Sequence, residues 1–289
     1  MLKQLSTLLV LLITMSVNAV VIRHDVNADL YQVNQVPEFY VDMPFQGGSV
    51  LIDEHWLLAP AHVIYTFMYD YQDKPIMIHG VENKIAQVII HDGFKRVEGD
   101  WSQGDPKPLM QQMNRSKDIA LIRLSNPVTH IKPIALYQGN DEQGQVITGY
   151  GRGAIGNGKT GEIEDSQGPS LITYGWYQVT KYFTDWVFTQ DNYPMRSYNN
   201  VISEANEQWL RFTFEQGASA LPLEGMFGSG DSGGAVIMYQ NDVPILVGFA
   251  AWTEIHGPLE QHVPGKYGTT GVLTRVSYFN QWITQHVNK

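Results

Sequence analysis

Short apolar runs separated by polar and turn-forming residues dominate the chain. Each run is rich in β-branched or aromatic side chains and is bounded by Gly, Pro, Asn or Asp, as β-strands are. In order, the runs read "GGSVLI", "HWLLA", "IAQVII", "DIALIRL", "QVITGYG", "AVIMY", "ILVGFAAW" and "GVLTRV". Many short strands without alternating long helices favour an all-β sandwich or barrel.

The C-terminal segment "SYFNQWITQHV" departs from this pattern. Its larger side chains recur at helical spacing, at Phe279, Trp282, Ile283, His286 and Val287. This spacing predicts one amphipathic helix over about residues 277–287, lying on the body of the protein. Ser277 stands where its side chain could cap the first turn.

Three stretches lack an apolar period and are rich in Gly or polar residues. They are Ala154–Ser170, Gln190–Asn206 and His256–Gly268. We expect each to form a loop, and the first, which is Gly-rich and acidic, to be exposed and mobile.

The first nineteen residues have the layout of a secretory signal peptide. Lys3 supplies a positive start, Leu8–Ile13 is apolar, and Val17-Asn18-Ala19 offers small residues for cleavage. The apolar run is too short to span a bilayer, and a buried core segment is the alternative. We therefore predict a signal peptide over 1–19, a mature domain over 20–289 without a membrane span, and a secreted or periplasmic location.

Charge and cysteine content exclude several kinds of partner and cofactor. Without Lys3 the formal net charge of −10 becomes −11, which argues against nucleic acid as a partner. The chain has no Cys, which removes disulfides, thiolate chemistry and cysteine zinc sites. The two acids of Asp70–Pro75 form no convincing cation cage. Eight histidines lack metal-ligand spacing, namely His24, His55, His79, His91, His130, His256, His262 and His286. We expect neither a metal nor a cofactor.

One motif carries a candidate nucleophile. Gly230-Asp231-Ser232-Gly233-Gly234 fits the pattern G-x-S-x-G, which can mark the strand-turn-helix elbow of an α/β-hydrolase. Here the strand-like run "AVIMY" follows where the elbow needs a helix, and the later histidines have no recognisable setting. The elbow is therefore disfavoured, which leaves an ordinary turn serine or a nucleophile in another fold.

The residue order His, Asp, Ser finds partners for Ser232 upstream. "DEHWLLAPAHVI" carries an apolar strand into Ala59-Pro60-Ala61-His62, and "NRSKDIALIRL" places Asp118 at the start of another. A serine hydroxyl needs a base to take its proton, and a His oriented by an Asp is such a base. His62, Asp118 and Ser232 are thus a candidate triad.

The sequence resembles the chymotrypsin/trypsin family of serine peptidases over nearly all of the mature chain. Six segments match the family's motifs in order: "GGSVLIDEHWLLAPAH", "KDIALIRL", "TGYGR", "GSGDSGGAV", "GFAAWT" and "GVLTRVSYFNQWI". Three of them depart from the usual residues, with Pro60 in place of Ala, Tyr150 in place of Trp, and Ala251-Trp252-Thr253 in place of Ser-Trp-Gly.

The resemblance implies two packed antiparallel six-stranded β-barrels with a C-terminal α-helix, the first barrel over about 21–133 and the second over about 134–276. It implies a monomeric serine endopeptidase that cleaves proteins or peptides through an acyl-enzyme. Ser232 would be the nucleophile, His62 the general base and acid, and Asp118 the residue that orients His62. The alternative is an inactive homologue that serves as a binding module.

The resemblance also assigns the oxyanion hole to the backbone N–H groups of Gly230 and Ser232. Glycine suits position 230, because its amide must turn inward through a conformation that a side chain resists. The full motif is intact in this chain.

In this family, the residue six positions before the nucleophile lies at the base of the primary substrate pocket. Met226 stands there, followed by Phe227, so the chain lacks the acid that would pair with a Lys or Arg side chain. Because burying an unpaired charge is costly, we expect a preference for small or medium uncharged side chains. The other pocket residues implied are Ala251, Trp252, Thr253, Thr270 and Gly271.

For two of these pocket positions, the resemblance also predicts how the side chain affects the space in the pocket. Thr253 would narrow the entrance, and Gly271 would leave space deeper in. The run Ala251–Thr253 would also pair with the substrate backbone as an added strand.

Members of the family usually mature to a new N-terminus whose ammonium pairs with the Asp before the nucleophile, here Asp231. Counting back by the family's usual spacing points near Val21, and signal cleavage after Ala19 would free Val20. One hypothesis is therefore that signal removal supplies the activating terminus. The other is that "VIRHD" is only a first strand and that another donor holds Asp231. The sequence leaves both open.

Overall fold

The computed structural model describes residues 20–43, 47–65, 71–163 and 194–287, so the predicted signal peptide over 1–19 lies outside it. The strands of these residues are, in chain order, β1 (Val20–Ile22), β2 (Tyr40–Asp42), β3 (Gly48–Asp53), β4 (Trp56–Ala59), β5 (Pro75–Ile78), β6 (Val81–Ile90), β7 (Ala120–Leu124), β8 (Ala135–Leu136), β9 (Val146–Gly151), β10 (Ile155–Asn157), β11 (Gly161–Ile163), β12 (Arg196–Val201), β13 (Glu204–Asn206), β14 (Trp209–Thr213), β15 (Gly225–Met226), β16 (Ala235–Gln240), β17 (Val243–Thr253) and β18 (Thr270–Arg275).

The helices of the described ranges are short. They are α1 (Ala61–Tyr65), α2 (Lys107–Arg115) and α3 (Asn280–Val287), with 3₁₀ turns at Ala28–Tyr31, Gly217–Ser219, Leu259–Gln261 and Val276–Phe279. In these ranges no helix combines the length and the apolar character that crossing a membrane requires. The predicted all-β class with a C-terminal helix is confirmed.

Strands β2 to β7 form an antiparallel six-stranded sheet in the order β2-β3-β4-β7-β6-β5. Its outer strands β2 and β5 contact each other, so the sheet curls into a nearly closed barrel. Successive strand residues point to opposite faces, and the inward set is apolar. Leu51, Leu57 and Ile122 belong to this interior and are fully buried.

The second sheet has eight strands, in the order β12-β9-β16-β17-β18-β14-β13 with β8 beside β17. It forms a half-barrel, and together with the first sheet it is consistent with the predicted trypsin-like double barrel. Its buried core combines aliphatic side chains with aromatic ones, among them Tyr198, Phe212 and Phe214. The ring centroids of Tyr198 and Phe212 lie 5.9 Å apart, a distance typical of favourable aromatic pairs.

A shared core joins the two sheets. Leu58 and Leu121 of the first sheet and Ile237 and Phe249 of the second lie in one buried cluster. A hydrogen bond also crosses the junction, since Thr274 Oγ1 donates to the Asp118 carbonyl, two residues before β7, over 3.0 Å. The two halves are thereby held together where the candidate site lies.

Strand β1 comes first in the chain but packs with its second half. It pairs with β15 and β10 in a small sheet of order β11-β10-β1-β15. Val20 and Val21 are fully buried in the same core as the second sheet. Strand β1 therefore packs with the second half of the molecule, because its ladder and its buried valines belong there.

Two of the three predicted loops contain strands. Ala154–Ser170 holds β10 and β11, and Gln190–Asn206 holds β12 and β13, while residues 164–170 and 190–193 lie outside the described ranges. The loop prediction was wrong for these strands, because main-chain hydrogen bonds to neighbouring strands fix them although few apolar residues mark them. His256–Gly268 has no strand, as predicted.

The helices show two further differences. α3 begins at Asn280 after a 3₁₀ turn, and Ser277 does not cap it, because its Oγ donates to the Glu142 carboxylate instead. α2 was not predicted. Its packing against the second sheet depends on Met110 and Met113, two apolar residues within a polar segment.

Candidate active site

His62 lies where a buried strand turns into a helix. β4 ends at Ala59, Pro60 follows, and α1 begins at Ala61. Ala59 and Ala61 are fully buried, so small side chains let the helix pack closely here. The His62 side chain keeps 27% of its surface exposed and lines a cavity between the two sheets.

Asp118 holds His62 at two points. Asp118 Oδ2 lies 2.7 Å from His62 Nδ1, and its Oδ1 accepts the His62 backbone N–H over 2.8 Å. A carboxylate can only accept here, so we assign the ring proton to Nδ1, which leaves Nε2 as the basic nitrogen. Asp118 is 5% exposed, and the two bonds satisfy both of its oxygens.

The pKa of His62 is raised above its ordinary value. Burial alone would lower this pKa, but the negative charge of Asp118 and its hydrogen bond to Nδ1 together outweigh burial. The imidazolium is therefore stabilised, which suits a group that must take up a proton during a reaction.

The first sheet brings Ser232 to the His62 helix. The backbone N–H of Gly48 donates to the Ser232 carbonyl over 2.9 Å. A side chain on Gly47 would meet that carbonyl oxygen at 2.5 Å and the methyl groups of Val63 at 3.1 Å. A glycine is thus required between Ser232 and α1. Ser232 Oγ itself forms no hydrogen bond to a residue in the described ranges.

The turn around Ser232 leaves two amides unused. In residues 228–234, every N–H donates to a protein acceptor except those of Gly230 and Ser232, as far as the described residues go. Gly230 has φ +91°, a conformation that side chains resist. Two amides on either side of one residue can bind an oxyanion together.

Comparisons with known proteins identify trypsin-like serine proteinases as similar sequences. A sequence profile described as Trypsin matches residues 28–168. The calcium-dependent serine proteinase of Mesocricetus auratus is 26% identical over 272 residues, which cover 86% of this chain and 32% of that protein. Kallikrein 1-related peptidase b3 of Mus musculus is 25% identical over 260 residues, with 84% and 80% covered. These matches support a chymotrypsin/trypsin-like peptidase.

Some relatives of this trypsin-like chain are much longer than the matched part. Vitamin K-dependent protein C of Rattus norvegicus is 23% identical over 264 residues, covering 84% of this chain and 46% of its own length. The chain thus spans between 32% and 46% of that protein and the hamster proteinase. The likeness concerns their matched segments.

Asp231, in the turn before Ser232, is buried. It accepts the N–H groups of Gly153 at 2.6 Å and Gly228 at 2.8 Å. Burial raises the pKa of Asp231 to about 7. The backbone hydrogen bonds lower this pKa, but they offset the effect of burial only in part. In the described ranges it has backbone donors but no ion pair.

The start of β1 lies next to the turn that carries Asp231. Val20 pairs with Ile155, and the preceding Ala154 donates its N–H to the Ser229 carbonyl over 2.6 Å. Val20 is fully buried, with φ +70°, and Val21 pairs with Met226. Val20 therefore packs beside the turn that carries Asp231.

The predicted pocket residues fall into two groups. Met226 and Phe227 are buried, and Phe227 stacks edge-on against Phe212 with centroids 5.9 Å apart. A Cβ on Gly271 would meet the Phe212 ring at 2.4 Å. The space expected beside Gly271 is thus filled by Phe212.

The remaining pocket residues lie at the ends of β17 and β18. Thr253 pairs with Gly271, and Thr270 with Thr213. Ala251 and Trp252 instead line the cavity that contains His62 and Asp118.

Sequence reasoning missed a further acid beside the Ser232 turn. Glu162 Oε1 accepts the N–H of Ser229 over 3.1 Å, and burial raises the Glu162 pKa. It was missed because it lies in a segment predicted to be a loop. No group of three or more metal-ligating side chains comes together within the described ranges.

Proposed function

We propose that this trypsin-like protein is a secreted serine endopeptidase that acts through Ser232, His62 and Asp118. One observation carries the proposal. A single buried carboxylate fixes both the ring and the backbone of His62, which leaves Nε2 as the base. Gly47 lies between the Ser232 carbonyl and Val63, the residue after His62.

The proposed reaction follows from these groups. Ser232 Oγ attacks the scissile carbonyl carbon while His62 Nε2 takes the hydroxyl proton, and Asp118 stabilises the imidazolium. The N–H groups of Gly230 and Ser232 bind the oxyanion, and losing one such donor costs about 3 kcal/mol in comparable enzymes. His62 then protonates the leaving amine, and the acyl group stays on Ser232.

Deacylation repeats the same steps with water. His62 removes a proton from the water, which attacks the ester carbonyl, and then returns the proton to Ser232 Oγ. The absence of a Ser232 Oγ hydrogen bond in the described ranges is compatible with this scheme, because catalytic hydrogen bonds often tighten only when substrate binds.

The proposed specificity is for uncharged side chains before the cleaved bond. Met226 and Phe227 are buried apolar residues, and a substrate Lys or Arg would find no acid at this position. Cleavage-site profiling on a peptide library should therefore give few cuts after Lys or Arg. A majority of cuts after those residues would overturn this specificity.

The proposed activation step is removal of the signal peptide. Val20 begins β1 beside the Asp231 turn, and Asp231 is a buried acid with a pKa raised to about 7. A free Val20 ammonium would supply the missing positive charge. N-terminal sequencing of active protein should read Val-Val-Ile, and activity in a form that retains residues before Val20 would contradict the step.

A fluorophosphonate that bears a mass tag tests the proposal. The reagent reacts with serines that an adjacent base activates, so the protein starting at Val20 should gain one adduct, on Ser232. Ser232→Ala should remove the adduct, whereas Ser229→Ala, three residues away in the same turn, should keep it. An unlabelled wild-type protein would favour a binding module in place of an enzyme.

A further inference from the structure

The hairpin of β10 and β11 packs against the turn that carries Ser232. Gly156 pairs with Glu162 in this hairpin, and the Glu162 backbone N–H donates to the Pro264 carbonyl over 2.8 Å. β11 is therefore held on one side by β10 and on the other by the segment His256–Gly268. The strand presents the Glu162 side chain to the turn from a fixed backbone.

The hairpin segment binds both backbone groups of Ser229. Glu162 Oε1 accepts the Ser229 N–H over 3.1 Å. The Ser229 carbonyl accepts the N–H of Ala154, the residue before β10, over 2.6 Å. The approach is close, because a side chain on Gly153 would meet the Ser229 carbonyl oxygen at 2.5 Å. Ser229 is therefore held at two points by one hairpin.

These bonds determine where the next amide points. The Ser229 carbonyl and the Gly230 N–H belong to one peptide group, and in a planar trans peptide the two point in opposite directions. The described residues contain no cis peptide bond. Since the carbonyl points to Ala154, the Gly230 N–H points away from the hairpin, where no acceptor among the described residues binds it.

The peptide between Ser229 and Gly230 needs such a support, because glycine restricts its rotation little. Gly230 has φ +91°, and glycine adopts positive and negative φ with similar ease. A Cβ at this position would meet, among the described residues beyond its chain neighbours, one atom within 4 Å, the Gly153 Cα at 3.2 Å. Packing alone therefore does not fix the peptide, and the hydrogen bonds of Ser229 do.

The Glu162 carboxylate occupies this place at an electrostatic cost. Burial raises the pKa of Glu162, and the hydrogen bonds of Ser229 lower it only in part. The Glu162 charge in turn raises the pKa of the buried Asp231. Within the described ranges Glu162 forms no ion pair, so its stabilising side-chain contact there is the one with Ser229.

We propose that Glu162 is a positioning residue for the oxyanion hole, which holds Ser229 so that the Gly230 N–H faces the oxyanion of the transition state. Glu162 acts through the peptide that it fixes, together with the Ala154 N–H. The inference rests on the proposed peptidase function, because the oxyanion forms only when Ser232 attacks a carbonyl carbon.

Two neutral variants separate the acceptor oxygen from the charge. Glu162→Gln keeps a side-chain oxygen that can accept the Ser229 N–H, whereas Glu162→Leu has no acceptor. In the chain that starts at Val20, Glu162→Leu should lower kcat about tenfold and change KM less than about twofold, since a displaced donor costs part of the roughly 10²–10³-fold that a lost donor costs. Glu162→Gln should stay within about threefold of wild type in kcat.

A peptidyl trifluoromethyl ketone measures the oxyanion hole directly. Ser232 Oγ adds to its ketone carbon, His62 takes the hydroxyl proton, and the ketone oxygen becomes an oxyanion. The inhibition constant should rise about tenfold in Glu162→Leu and less than about threefold in Glu162→Gln. The matching peptidyl alcohol, which forms no adduct, should bind the wild type and both variants equally.

Asp53→Asn is the matched control. Asp53 Oδ1 accepts the His55 N–H over 2.9 Å in the turn between β3 and β4, so this variant removes the same charge from the same kind of bond in another turn. It should leave kcat and the inhibition constant within about twofold of wild type. Urea unfolding shows that each variant is folded. If Glu162→Leu is not, Glu162→Val replaces it, because a β-branched side chain suits a strand.

Each outcome separates the positioning role from the peptidase. Wild-type kcat and inhibition in the variant without an acceptor overturn the role of Glu162 and leave the proposed function standing. An equal loss in Glu162→Gln assigns the effect to charge, and an equal loss in Asp53→Asn assigns it to a general change, so either result also overturns that role. A wild-type chain without hydrolysis and without a fluorophosphonate adduct on Ser232 overturns the proposed function itself.

Discussion

Among single residues, Asp118 has the most direct effect on His62, because it binds both the ring and the backbone of that residue. It is 5% exposed and supplies one oxygen to the His62 ring and the other to the His62 backbone. Removing its charge while keeping its shape therefore separates the electrostatic role from the packing role. The sequence identified the pair from the two strand contexts, but it could not show that both oxygens hold the same histidine.

Asp118→Asn should lower kcat about 10⁴-fold, because the amide would donate to Nδ1 and impose the wrong tautomer of His62. It should also lower the pKa of His62, whose rise depends on the Asp118 charge. Wild-type activity rises with pH as His62 loses its proton, so the rising limb of kcat/KM against pH should move to lower pH in the variant. An unmoved limb would contradict the role given to Asp118.

At the scale of elements, the strands with strong apolar runs could be predicted from the sequence. The strands without such runs could not. β3, β4 and β7 have buried, β-branched or leucine-rich sequences. His62 follows β4, and Asp118 precedes β7. β10 to β13 depend on main-chain ladders, and α2 on two methionines, so local pattern could not reveal them. Glu162 lies in one of these missed strands, β11.

The pairing of β1 gives a prediction for Asp231. In a chain that retains Val17-Asn18-Ala19, the folded pKa of about 7 lies above the ordinary 3.8. The folded state then holds more protons than the unfolded state between these values, so the free energy of unfolding should fall as pH rises from about 4 to about 7. The total loss is about 4 kcal/mol.

The chain that starts at Val20 should lack this loss, because its ammonium would pair with Asp231 and keep the carboxylate charged. Urea unfolding of both forms from pH 4 to pH 8 measures the difference. Equal slopes in the two forms would mean that the Val20 ammonium does not reach Asp231.

For the molecule as a whole, the order of six sequence motifs predicted two barrels. The same motifs did not predict which residues join the two halves. Glu142 is fully buried and accepts two hydrogen bonds from Arg275, at 2.9 Å and 2.7 Å. This pair connects the segment after β8 to the end of β18 and hence to the C-terminal helix. Sequence analysis did not predict this pair, because the two residues are 133 positions apart and leave no local pattern.

Glu142→Ala should reduce the free energy of unfolding by about 3–5 kcal/mol, because it leaves the Arg275 guanidinium buried without its partner. Glu204→Ala is the matched control. Glu204 is half exposed and lies 3.6 Å from Arg211, so its loss should cost less than about 1 kcal/mol. Urea unfolding measures both, and equal losses would show that the Glu142 pair does not stabilise the junction.

Hydrolysis of an internally quenched peptide by the chain that starts at Val20 tests the central claim most directly. The peptide should carry an uncharged residue before the cleaved bond, and kcat should fall about 10⁶-fold in Ser232→Ala, to the level left by binding and the oxyanion amides alone. Ser229→Ala should stay within about tenfold of wild type. Hydrolysis that persists in Ser232→Ala, or that is absent from the wild-type chain, would contradict the account.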